Sequence, residues 1–225
     1  MIEISMKSAE QRKQESIQKL QSLSIPYIDW LPTIETSDGL QLRSTELIAK
    51  RAIASLLIIQ VACDINNEQF DHETHAFMVN LLNQFDVMQY LTVKERNVLN
   101  RFASAQEVIN MVWKYEAYWV LLWALGIVES LDFPDQIADC DFAINVVSSC
   151  GSFEEFMHKV QLRDVEQILD QADLIYRYDW ACVDARLKQQ QAPAQMNASI
   201  VLERHGALNW LIHVEEDWDH PDVST

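Results

Sequence analysis

The chain has 225 residues with 34 acidic against 17 basic, a formal net charge of −17 with histidine neutral. That balance argues against nucleic-acid backbones and anionic membranes as partners, since both are polyanions, and leaves a basic protein partner or simple solubility. With 49% apolar residues but only 4 glycines and 5 prolines, it lacks the turn residues a β-rich fold needs and reads as a helical globular protein.

The first residues, MIEISMKSAEQRKQ, contain no apolar h-region and do not read as a signal peptide. Residues 5–23 carry an amphipathic pattern with Ile17, Leu20 and Leu23 inward and Lys, Arg, Glu and Gln outward; residues 1–14 are polar enough to fray. Residues 24–42 form the longest loop, a long ordered one pinned by Tyr27, Ile28, Trp30 and Leu31, with Pro26 and Pro32 keeping their neighbours extended. Ser44 is a good N-cap for a helix to about Cys63, with Glu46 in its first turn where the helix dipole favours an acid.

A third helix spans His72–Gln84, and Thr92-Val-Lys-Glu95 is a capping box opening a short helix to about Phe102. Ser104-Ala-Gln-Glu107 is a second box. It opens the most hydrophobic helical stretch, which holds three of the seven tryptophans in Trp113–Gly126 and closes on a glycine suited to the left-handed conformation. Val112, Trp113, Glu116, Trp119, Val120 and Trp123 share one face, and Leu121, Leu122 and Leu125 cover much of another, so the helix is expected to be buried.

Residues 127–151 are the least regular, and Asp139–Val147 suits either a short helix or an extended piece. Ser152-Phe-Glu-Glu155 and Asp164-Val-Glu-Gln167 also have the capping-box form, the second opening a long helix to about Gln189. Residues 188–197 are a polar linker, and the last helix is expected over 198–213, with Gly206 tolerated because another helix crosses closely there. The whole reads as all-α, a single compact domain over 1–225 of about eight helices around the central Trp-rich helix. The two longest apolar runs, Ala52–Cys63 and Tyr118–Val128, are too short to span a bilayer. Cys63, Cys140, Cys150 and Cys182 are dispersed among apolar neighbours, the pattern of reduced thiols in a cytoplasmic protein.

Several motifs together resemble a known family. They are Arg43-Ser44-x-Glu46 with Arg51, Trp113-x-x-Glu116 leading into Leu122-Trp123-Ala124-Leu125-Gly126, and Cys140-Asp141. Further on come Asp173-Leu-x-Tyr176-Arg177-x-x-Trp180-Ala181 with Arg186, Glu203-Arg204-x-x-Ala207-Leu208-Asn209-Trp210, and the tail Asp217-Trp218-Asp219. In these the chain resembles the family catalogued as domain of unknown function 4272, over most of residues 15–225. The resemblance implies an all-helical, soluble, mainly bacterial protein and supplies no activity.

The candidate chemistry is sparse. Glu116 lies inside the apolar face, where a carboxylate must be paired, and Arg177 or Arg204 from another helix is the expected partner. Asp173, Arg177, Trp180 and Asp184 share one helical stripe, on which Asp173 and Arg177 can pair. Trp113, Glu116, Asp173, Arg177, Trp180 and Arg204 therefore form either a buried ion-pair network or a polar pocket with aromatic walls. His72-Glu-Thr-His75 is one residue short of a zincin motif, and Asp217, Asp219, His220 and Asp222 lack calcium-loop spacing. No cofactor motif and no catalytic signature stands out. Residues 129–184 carry thirteen acids against three bases. The leading expectation is thus an interaction module whose acidic face meets a basic partner. A small-molecule-binding protein or enzyme built on Glu116, Arg177 and Arg204 is the alternative.

Overall fold

A computed structural model describes residues 6–225 and is all-helical, with no strand among the described residues. In chain order the α-helices are α1 (Ala9–Ser22), α2 (Thr45–Asn66), α3 (His72–Gln84), α4 (Val93–Leu99) and α5 (Ala105–Trp113). They continue with α6 (Tyr115–Ala124), α7 (Cys140–Ser148), α8 (Phe153–Met157), α9 (Val165–Leu187) and α10 (Ala198–Ile212). Short 3₁₀ turns occupy Met88–Tyr90 and Pro193–Gln195, the latter inside the polar linker. The chain forms two compact units. One takes in the chain up to Arg43, Asp132–Ile137 and Arg163–Thr225; the other holds Ser44–Leu131 and Ala138–Leu162.

In the Ser44–Leu131/Ala138–Leu162 unit, α2 packs against α3, α4, α5, α6 and α8. Its residues from Ile48 to Ile59 are all buried, so this helix and the Trp-rich segment share the middle of the unit. The boxes at Thr92 and Ser104 are complete, each hydroxyl accepting from the third helical N–H while the glutamate accepts from the cap's own N–H. At Ser152 the glutamate of the expected box instead takes the N–H of Gly151, so only the serine caps α8. The stretch expected as one helix from 105 to 125 is divided at Lys114. Its N–H bonds to Met111 O in a tightened turn before the regular ladder resumes at Tyr118 N–H to Lys114 O. Gly126 is required: its φ is +74°, and a Cβ there would stand 2.4 Å from Gln161 O, which leaves no room for a side chain.

The same unit contains a buried ion pair that reads poorly from sequence. Arg51, inside the apolar run of α2, donates through Nη2 to both Glu95 oxygens at 2.6 Å and through Nη1 to Tyr90 O at 2.8 Å. Glu95 also completes the Thr92 box at 2.9 Å, so one carboxylate caps α4 and ties it to α2. Lys50 serves the C-terminal end of α3. It donates to Phe85 O and Asp86 O and lies 3.7 Å from the centre of the Phe153 ring.

In the other unit α9 packs against α1 and α10. The basic residues of α1 are not all outward as the amphipathic pattern predicts. Arg12 and Lys13 are buried, Arg12 paired with Asp170 at 3.0 Å and Glu166 at 2.5 Å. Lys13 Nζ donates to Leu31 O at 2.9 Å and to Asp29 O. These cations, rather than aromatic anchors alone, hold the 24–42 loop. Leu31 and Ile25 are buried, whereas Trp30, expected as a pin, is 77% exposed. Of the segment expected to fray, Ala9 to Gln14 are helical and residues 1–5 lie outside the described residues. Gly206 sits in α10 not for a crossing helix but for the tail: a Cβ there would come within 2.8 Å of Pro221 Cγ.

Candidate functional site

The C-terminal tail is built onto α10 by four devices. Trp218 is buried edge-on against Trp210, their centroids 5.2 Å apart. Arg43 lies 4.2 Å above Trp210 and donates to the carbonyls of Trp210, His213 and Glu216, the first two beyond the reach of the α10 ladder. Asn209 Nδ2 donates to Asp222 O at 2.6 Å, and Glu216 accepts the Asp222 N–H. The terminal acids thus bind the chain's own backbone: Asp217 Oδ1 accepts from Asp219 N–H, and Asp222 Oδ1 from Ser224 N–H.

Docked in this way, the tail closes one side of a cleft of about 420 Å³. Its other walls are Pro32 to Glu35 of the long loop, Tyr176 of α9, and His205 and Asn209 of α10. A second depression of about 690 Å³, between Ala9, residues 34–41 and residues 212–215, shares Ile34, Glu35 and His213 with it. The two therefore adjoin. Neither lining contains lysine or arginine among the described residues.

At the cleft floor His205, 2% exposed, faces Asp179 of α9, with Nδ1 2.8 Å from Asp179 Oδ2. A carboxylate only accepts, so Nδ1 carries a proton and donates to Asp179. His205 is among the residues lining the cleft, with Nδ1 engaged by Asp179. Tyr176 leans on the imidazole at 5.7 Å between ring centres. Burial raises the Tyr176 phenol above its ordinary range, and the nearby Asp222 charge adds to that rise. Asp222 is shifted down instead, chiefly by its hydrogen bonds from Ser224 and further by His205 and His213.

The residues expected from sequence to carry a site divide between the units. Glu116 and Trp113 belong to the α2 unit, where Glu116 is buried and its Oε1 accepts the Ala138 N–H at 2.7 Å. Asp173, Arg177, Trp180 and Arg204 belong to the α9 unit. Arg177 and Asp173 form the expected pair in a two-bond fork, Nε to Oδ2 at 2.8 Å and Nη2 to Oδ1 at 2.7 Å, both residues essentially inaccessible. Arg177 Nη2 also reaches Pro32 O at 3.2 Å, so it braces a cleft wall. Arg204 donates to Asp132 O at 2.6 Å, and Trp180 is half-buried. His72 is exposed at the start of α3, while His75 packs on Phe70. Among the described residues no group of three or more His, Cys, Asp or Glu is arranged to hold a metal ion.

Many of the thirteen acids of 129–184 have local work. Asp139, Asp164 and Glu155 accept backbone N–H groups at helix starts. Glu166, Asp170, Asp173, Asp179 and Asp184 are paired with Arg12, Lys7, Arg177, His205 and Lys188. Formal charge therefore overstates the free carboxylates available to a partner.

A family model described as Domain of unknown function (DUF4272) matches residues 12–221. The chain belongs to that family. No curated protein and no solved structure matches it. The matched span of this DUF4272 chain takes in the cleft residues Tyr176, His205 and Asn209, Asp179 behind His205, and the tail as far as Pro221. No helix among the described residues is long and apolar enough to cross a membrane.

Proposed function

We propose that the chain is a cytoplasmic small-molecule-binding protein whose ligand occupies the cleft over His205. The observation that carries this reading is a buried acid–imidazole pair at a concave polar surface. Buried Asp179 holds His205 Nδ1, and His205 lines the cleft together with Tyr176 and Asn209. Arg177 supports the same site, since its bond to Pro32 O fixes the loop wall of the cleft. The four free cysteines fit a reducing compartment. A basic protein partner remains the other reading of the net charge, but the carboxylates fixed as caps and ion pairs leave it less surface than composition promises.

Thermal shift against a panel of polar metabolites of both charges tests the reading. A ligand is expected to raise the Tm of the wild-type protein by several degrees, as mass action requires. It is expected to lose that effect on Thr33→Trp, which fills the cleft from an exposed wall position. A panel without any hit, or a shift that survives Thr33→Trp, overturns it.

A further inference from the structure

We infer that the outer face of α5 is a self-association surface, on which a second copy of this chain docks antiparallel about a two-fold axis. This surface is independent of the cleft over His205.

The inner side of α5 is committed: Val108 and Met111 are buried, and the helix packs on α2. Its outer side carries apolar bulk. Ile109 is 43% exposed, and Trp113, one turn on, is half-buried. Gln106 and Asn110 on the same side bond to each other at 2.9 Å, so the polar members of this face satisfy one another along the helix. Phe102, 79% exposed, stands at the N-terminal end of α5 on a fixed corner. Its N–H bonds to Asn97 O at 2.8 Å, and the preceding Arg101 lies over the Phe70 ring and donates to Phe70 O. A large apolar side chain held in water on rigid backbone has the form of an interface anchor, because little ordering entropy is left to lose on docking.

Charge selects the occupant. Residues 88–114 hold four bases (Lys94, Arg96, Arg101, Lys114) against two acids (Glu95, Glu107), whereas the rest of the chain holds 13 of the 17 bases against 32 of the 34 acids. Glu95 is moreover paired with buried Arg51. Two copies of a chain at −17 repel across their acidic surfaces, and this net-positive stretch is where they approach at least cost. The charges on α5 also set the orientation. Glu107 and Lys114 are seven residues, or two turns, apart and so share one flank of the helix. A copy related by a two-fold axis and running antiparallel brings Glu107 of each beside Lys114 of the other, with Ile109 close to the axis. A parallel copy would set that flank against Ala105 and Val112 instead. Glu107 spends only Oε2 on the Ser104 box, at 2.7 and 2.8 Å, and keeps Oε1 for such a pair.

The experiment is sedimentation velocity of the intact chain at about 0.15 M salt, over about 1–500 μM, the range suited to a small and weak interface. The expected result is a reversible monomer–dimer equilibrium. Ile109→Lys sets two like charges at the axis and is expected to weaken the dimer at least tenfold. Lys114→Glu faces Glu107 of the other copy with a second carboxylate and is expected to weaken it likewise. Adding Glu107→Gln to Lys114→Glu removes that repulsion, while glutamine still serves the capping box, and is expected to recover part of the loss. Ile109 and Glu107 are exposed, and far-UV circular dichroism matching wild type at the lowest concentration will show each variant folded. A monomer throughout the range, a dimer indifferent to Ile109→Lys, or a Lys114→Glu loss that Glu107→Gln leaves untouched overturns the inference.

Discussion

Replacing Arg177 by methionine asks whether the deepest ion pair of the α9 unit is structural. The side chain of Asp173 is 0% exposed and that of Arg177 is 2% exposed, so removing the guanidinium strands a carboxylate away from water. Breaking one partner of such a pair costs about 3–5 kcal/mol. In a chain of this length each kcal/mol corresponds to about 2–4 °C, so Arg177→Met should lower the Tm by roughly 6–20 °C. The pair itself is not fully satisfied. Arg177 Nη1 has no hydrogen-bond partner, an omission costing about 1–3 kcal/mol. Replacing both residues, Asp173→Leu with Arg177→Met, should therefore recover most of the loss, because isosteric apolar pairs often match or exceed buried ionic ones. Urea unfolding of the wild type, both single variants and the double variant gives the coupling energy directly. A single variant costing under about 1 kcal/mol, or a double variant as unstable as the two losses combined, would refute the reasoning.

Gly206→Ala sets two effects against each other. Alanine gains about 1 kcal/mol of helix propensity, while its Cβ, 2.8 Å from Pro221 Cγ, must displace the tail. The expected outcome is a Tm little changed but a red-shifted tryptophan emission as Trp218 leaves Trp210; emission identical to wild type would show that the tail yields without undocking. Alkaline pH probes another set of buried groups. Burial pushes both the Cys182 thiol and the Tyr178 phenol up to about 12. Folded-state values raised in this way favour the protonated forms, so their contribution is intact below the unfolded values and is lost as pH climbs towards 12. The urea midpoint should fall between pH 9 and 11, with Cys182 silent to thiol reagents at pH 8 in the native protein. A midpoint that rises over that interval, or rapid labelling of Cys182, contradicts the assignment.

What the sequence made legible was local. The boxes at Thr92 and Ser104, the cap at Ser44 and the left-handed glycine at 126 depend on residues within a few positions of one another, and each formed as the pattern requires. Partner choice was not legible in the same way. Glu116 could be recognised as a buried carboxylate from its helical face, but that a backbone N–H at Ala138 would approach it depends on an irregular segment with no periodicity to read. Arg12 and Lys13 looked like solvated charge because a fourteen-residue helix with a polar mean gives no hint that acids on α9 and loop carbonyls will cover it.

The cleft shows where a signal was present and unused. Asp179 follows Tyr176 by three positions and Ala172 by seven, so it falls on the stripe of α9 that also buries Ile168 and Leu169. His205 follows Val201 by four and precedes Leu208 by three, which puts it on the inward stripe of α10. Two titratable groups on the apolar stripes of consecutive helices, joined by a short linker, should be expected to meet, since neither can be buried alone without loss. Their meeting satisfies Asp179 Oδ2 and His205 Nδ1 and puts a buried acid–imidazole pair at the cleft that His205 lines. The tail that walls this cleft is held by four separate devices. The concave surface is therefore fixed before any ligand arrives, which is the arrangement expected of a preformed binding site.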